Sequence, residues 1–225
     1  LQDVLRSIRL VRRDAAKWGI DPAKIGGLGF SAGGHLAASA ATLYDDPAGR
    51  TGATLDSASA RPDFHILVYP VITLNGPYAH NGSREYLLGK TPAPALVESL
   101  SLQNRVTSST PPAFLVHGGN DASVPVENSL LYYAGLRKAG VPAEMHVYQH
   151  GPHGVGMLPG NGPMSDWPAR CAEWLAAQDG VVTRGKLESE PVEGRESGAR
   201  VGERQVLDVQ VECGRDGQRN GSRLG

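Results

Sequence analysis

Gly29-Phe30-Ser31-Ala32-Gly33 stands between a short apolar run, 24–28, and an Ala-rich stretch, 32–44, whose Leu36, Ala40 and Leu43 share one side. The run reads as a buried strand and the stretch as a helix, so the serine falls on a sharp strand-to-helix turn. Glycines suit both flanks because side chains there would collide across the turn. The helix starting at Ala32 points free N–H groups and the positive end of its dipole at the serine hydroxyl. A negative charge developing there would be favoured, and the Ala32 N–H is the natural first donor to it. Ser31 is therefore the candidate nucleophile.

The same alternation continues outward from this turn. Residues 64–69 form a compact β-favouring run closed by Pro70, and Pro111-Pro112 precede a second buried run at 113–117. Residues 126–139 read as a helix opened by Pro125 and stopped by Gly140 and Pro142. Residues 143–148 read as a strand. The last helix, 166–177, turns Trp167, Cys171, Trp174 and Leu175 to one face. At the start, Val4, Ile8, Val11, Ala15 and Trp18 make an apolar helical stripe. Residues 45–63 read as loop, and 73–110 hold only weak helical patches. Strands with continuous apolar cores, separated by helices, predict an α/β architecture: a mostly parallel sheet with helices on both faces.

The 225 residues are 40% hydrophobic and carry a net charge of -1, enough for one sizeable core and without a basic footprint for nucleic acid. No apolar run approaches the length of a membrane helix, so a soluble chain is expected. The two cysteines, Cys171 and Cys213, make neither a disulfide framework nor a zinc site. From residue 179 on, Gly, Arg and Glu dominate and aromatics vanish. This composition assigns 1–178 to the folded core and 179–225 to a disordered tail. Within that tail Leu207, Val209, Val211 and Cys213 alternate with polar residues, a strand pattern that would need a sheet edge to dock on.

A nucleophilic serine needs a base and an orienting acid, which in this arrangement follow it in the order acid, then histidine. Both belong in loops after later strands. His153, in Gly151-Pro152-His153-Gly154, lies just beyond the 143–148 strand and is the candidate base; His150 is its nearest competitor. Asp121 follows the 113–117 strand and is the candidate acid, whereas Asp63 precedes its strand and sits at the wrong edge. His65, His117 and His146 fall inside strands and read as packed or edge residues. The spacing of His146, His150 and His153 evokes a metal site, but strand and Gly-Pro geometry do not put all three on one face. His117-Gly118-Gly119 looks like an oxyanion loop of the HGGG type, yet it follows the wrong strand and carries the acid instead.

Taken together, Gly29-Phe30-Ser31-Ala32-Gly33-Gly34-His35-Leu36, Arg61-Pro62-Asp63-Phe64, Tyr69-Pro70-Val71, Val124-Pro125-Val126-Glu127-Asn128-Ser129 and His153-Gly154 resemble α/β-hydrolase esterases. The nearest resemblance is to the acetyl esterase and feruloyl-esterase-like group that deacylates plant-wall sugars, over residues 1–177. It implies a carboxylic-ester hydrolase with Ser31, Asp121 and His153 as triad. The implied substrate is a small-molecule or saccharide ester, with no metal, organic cofactor, nucleic acid or membrane partner. Members of the group carry strands and an HGGG loop before the elbow. None precedes Leu1, so the chain reads as N-terminally truncated and a weak catalyst at best. Two rivals share the same motifs: a serine peptidase of the prolyl-oligopeptidase type, and a non-catalytic fragment.

Overall fold

Alternation inside two buried strands sets up the layers of the computed structural model, which describes residues 1–160 and 162–178 and the backbone of 205–208. Strand β1 is Ile25–Phe30, β2 is Phe64–Val68, β3 is Ala113–Gly118 and β4 is Ala143–Tyr148. They pair in parallel in the order β4-β3-β2-β1. Helix α3, Ser31–Thr42, crosses from β1 to β2, and α6, Glu127–Lys138, crosses from β3 to β4.

Because side chains alternate across a strand, Phe64, Ile66, Val68, Phe114 and Val116 meet Trp167, Cys171, Trp174 and Leu175 of helix α7, Trp167–Gln178. Leu67, Ala113 and Leu115 turn the other way, onto Ala37 and Ala38 of α3 and Tyr132 and Leu136 of α6. Both faces are thus covered, as the apolar runs predict. The buried face of α7 is the one read from its sequence.

The amino-terminal stripe is interrupted. Helix α1, Gln2–Arg13, ends at Asp14, whose φ of -97° and ψ of 10° break the helical phase before the four-residue α2, Ala15–Trp18. Val4, Leu5, Ile8 and Ala15 are buried, but Trp18 is 54% exposed, so the stripe stops short of it. In the segment expected to hold weak helical patches, α4 spans Asn81–Leu88 and α5 spans Pro94–Ser99.

Residues 205–208 add β5, Gln205–Asp208, parallel to β1 at the sheet edge. The expectation of an unstructured tail therefore does not extend to these four residues. β1 otherwise presents unpaired N–H and C=O groups on that side, which a strand satisfies. The rest of 179–225, including the 209–213 portion of the alternating pattern, lies outside the described residues.

Asp63 lies at the opposite end of the sheet from the elbow. Its Oδ2 accepts the Ile25 N–H at 2.9 Å and pairs with Arg12 at 3.1 Å. That is the edge the sequence assigned it.

Candidate active site

Three loops at the carboxyl ends of β1, β3 and β4 meet. The first is the elbow, where Ser31 adopts φ +52°, a left-handed conformation that side chains other than glycine rarely take. Such strain costs roughly 1–3 kcal/mol and persists only where surroundings over-determine it. Here they do. A Cβ at Gly29 would stand 2.2 Å from the Gly33 carbonyl oxygen, so only glycine lets strand and helix approach this closely. The Ser31 carbonyl accepts the Val71 N–H at 3.0 Å, fastening the elbow to the loop after β2. The amide of Ala32 lies in the first turn of α3, where no helical carbonyl precedes it.

Ser31 Oγ is 2.8 Å from His153 Nε2, and His153 Nδ1 is 2.7 Å from Asp121 Oδ2. A carboxylate only accepts, so Nδ1 carries the imidazole proton and Nε2 is left bare. The serine hydroxyl then donates to Nε2, which is the polarity proton abstraction requires. Asp121 is enclosed, and its other oxygen accepts the N–H groups of Ser123 at 2.9 Å and Val124 at 3.0 Å. Burial pushes its carboxyl up, but hydrogen bonds from His117, the Val124 amide, His153 and the Ser123 amide outweigh it. The net effect holds Asp121 well below the ordinary carboxylate range, and it stays ionised opposite the imidazole.

The remaining histidines have other work. His65 is buried with Nε2 3.0 Å from Tyr132 Oη, and His35 Nε2 donates to the Leu100 carbonyl at 2.9 Å. His80 caps α4 by accepting the Ser83 N–H at 3.1 Å, and His146 Nε2 meets Glu144 at 2.8 Å. His117 is also buried, as expected of a strand residue, but it reaches the site from behind. Its Nδ1 lies 2.8 Å from Ser129 Oγ, its Nε2 2.9 Å from the Val124 carbonyl, and Nε2 is 3.5 Å from Asp121 Oδ2. The His150 side chain, the rival base, is not drawn into this chain of contacts. Among the described residues no group of three or more His, Cys, Asp or Glu is arranged to hold a metal ion. None of their helices is long and apolar enough to cross a membrane.

The supporting roles of several residues are not readable from the sequence, although Tyr69 and Asn128 stand in its recognisable motifs. Asn120 Oδ1 accepts the Gly151 N–H at 2.8 Å, tying the acid loop to the histidine loop. Asn128, fully buried, accepts the N–H groups of Ile72 at 2.9 Å and Thr73 at 3.0 Å and donates to the carbonyls of Tyr78 and Pro125. It locks the loop after β2 against α6. Tyr69 lies against His153 with ring centroids 4.8 Å apart.

Comparisons with known proteins bear on the family and the fold. Endo-1,4-beta-xylanase B of Butyrivibrio fibrisolvens is 40% identical over 155 residues, which is 69% of this chain and 24% of that protein. An acetylxylan esterase of Xylanibacter ruminicola is 37% identical over 158 residues, covering 68% of this chain and 30% of its own length. The chain thus spans a third or less of these curated relatives. Among solved structures, an acetyl ester-xyloside bifunctional hydrolase from Caldicellulosiruptor lactoaceticus superposes with a TM-score of 0.74 at 46% identity, over 79% of this chain and 65% of that one. The fold is that of an α/β-hydrolase. Residues 1–136 match the family model described as BD-FAE, more than half of the chain. The protein belongs to the BD-FAE family, α/β-hydrolases of the acetyl and feruloyl esterase-like group.

Proposed function

We propose that the chain hydrolyses short acyl esters, acetylated or feruloylated carbohydrates among them, through a Ser31-His153-Asp121 triad. The observation that carries this reading is the continuous hydrogen-bond chain from Ser31 Oγ through His153 to Asp121, at 2.8 and 2.7 Å. The xylan- and xyloside-directed names of similar proteins support the saccharide class. In this reading residues 1–178 are the hydrolase core, and 205–208 lend a strand to the edge of its sheet.

His153 Nε2 takes the hydroxyl proton as Ser31 Oγ bonds to the acyl carbon, and Asp121 stabilises the imidazolium that results. The carbonyl electron pair moves onto oxygen, where the Ala32 N–H and the positive end of α3 receive it. As the tetrahedral adduct collapses, the bond to the alcohol oxygen breaks and His153 returns its proton to that oxygen. Water then repeats the sequence on the acyl-serine and releases the carboxylic acid.

The test is a fluorophosphonate probe followed by peptide mapping, alongside acetate release from acetylated xylo-oligosaccharides. Labelling on Ser31 and acetate release, both lost in Ser31→Ala, are expected. Labelling elsewhere, or acetate release that survives in Ser31→Ala, overturns the reading.

A further inference from the structure

The loop carrying His153 is not held by the triad alone. We propose that Tyr69 is a positioning residue for His153, its ring bounding the imidazole and its hydroxyl anchoring the loop beyond it; this rests on the triad reading above. Four observations converge on Tyr69. It follows β2 directly with φ +39°, a left-handed conformation that an aromatic residue rarely adopts. Its N–H donates to the Val116 carbonyl at 2.7 Å, so the strained turn is pinned to β3. That turn puts the ring face beside His153, centroid to centroid 4.8 Å at an interplanar angle of 60°. The phenol oxygen then accepts the Gly156 N–H at 2.9 Å, three residues past the histidine.

The far side of Gly156 is held too, since Trp167 Nε1 donates to its carbonyl at 2.8 Å. Phe30, next to Ser31, fills the space between the two clamps, with its centroid 5.9 Å from Tyr69 and 6.0 Å from Trp167. Asp121 fixes only Nδ1 and leaves the ring free to tilt about that bond. The Tyr69 face removes this tilt, which would otherwise swing Nε2 away from Ser31 Oγ. A single aromatic thereby touches the imidazole, the loop beyond it and the residue that precedes Ser31. Strain kept at a position with this many ties to reacting groups marks a functional constraint.

The experiment compares the parent chain with Tyr69→Phe and Tyr69→Leu, using p-nitrophenyl acetate, with sites counted by fluorophosphonate titration. Misplacing a reacting group by about 1 Å costs up to about a hundredfold. Per titrated site, kcat should fall about threefold to tenfold in Tyr69→Phe, which keeps the ring but loses the Gly156 tie, and about a hundredfold in Tyr69→Leu. KM should stay within about twofold, because a loss of positioning acts on the transition state and not on ground-state binding. In a His153→Ala background, compared per mole of folded protein, Tyr69→Leu should cost nothing further. A residue that served folding alone would lower the number of titrated sites and leave kcat per site intact, and that result overturns the proposal. An equal loss with and without His153 does the same. If Tyr69→Leu does not fold, Tyr69→Phe decides. Failure of the probe to label Ser31 in the parent removes the triad reading and this proposal together, whereas labelling with unchanged kcat in both variants removes this proposal alone.

Discussion

Gly118 and Gly151 press together so closely that a Cβ on Gly118 would stand 1.8 Å from the Gly151 carbonyl oxygen. The loop that carries Asp121 and the loop that carries His153 therefore share a seam. Asn120 closes it through the Gly151 N–H. Asp121 and His153 are held in register by backbone against backbone, which yields less than a flexible side chain would.

Gly118→Ala must move the 149–153 segment. Overpacking of this kind costs about 1–3 kcal/mol of stability. The displaced His153 should lower kcat by about a hundredfold or more, beyond what the lost stability explains. Thermal unfolding and ester hydrolysis measured on the same preparation check this. Full turnover in the variant would mean that the seam is slack.

His153→Ala and Asp121→Ala should not add. Residues that act as one unit lose most of their effect with the first removal, so the double variant should fall little below the worse single. Steady-state kcat for the four proteins of the cycle tests it. Independent, additive losses would separate Asp121 from the base.

Acidification should weaken the fold through His65. It is buried beneath α6, and burial pushes its imidazole down to about 3. In the unfolded chain a histidine titrates near about 6.5. Between these values the unfolded state binds a proton that the folded state does not, so stability falls as pH drops through that window. The slope from this group is at most about 1.4 kcal/mol per pH unit. Urea midpoints at pH 7, 6 and 5 should fall more steeply for the parent than for His65→Gln. Parallel slopes would show that His65 takes up its proton without opening the core.

The break at Asp14 makes opposite forecasts for two apolar residues of one stripe. Ile8→Ala should cost about 2–5 kcal/mol, since it empties a fully packed position. Trp18→Ser should stay within about 0.5 kcal/mol. Chemical denaturation of both variants distinguishes the two environments, and equal losses would contradict the exposure of Trp18.

The contrast between those two residues marks where the sequence is legible. Compact apolar runs announced the three central strands β1, β2 and β3, and the spacing of Trp167, Cys171, Trp174 and Leu175 announced a helix face, because burial imposes those periods directly. Chain order and loop placement single out Ser31, Asp121 and His153, and the structure brings these three side chains into one row of hydrogen bonds. The spacing puts Trp18 on the buried stripe and the structure exposes it, since a phase break depends on how α1 sits against its neighbours. Asn128, His117 and Tyr69 were equally silent as supports. Each satisfies or packs against groups distant in sequence, and no local spacing encodes that. The helices within 73–110 are short, and their weak periodicity shows as patches without bounds.

Every strand among the described residues points the same way, and this gives the sheet a chemical end and a mechanical end. At one lie the elbow, the acid loop and the base loop. At the other, Asp63 gathers Ile25 and Arg12, while buried Arg9 pairs with Asp56 at 3.3 Å and reaches the Gly49 and Ala58 carbonyls. The two ends are joined by the length of the strands and by α3, which runs back along them from the elbow. Damage at Asp63 or Arg9 would shorten the life of each molecule without altering the rate of the molecules that survive. Damage at the elbow would leave long-lived molecules that do nothing. Durability and turnover can thus drift apart in this fold, each under its own selection, with the strands as the partition between them.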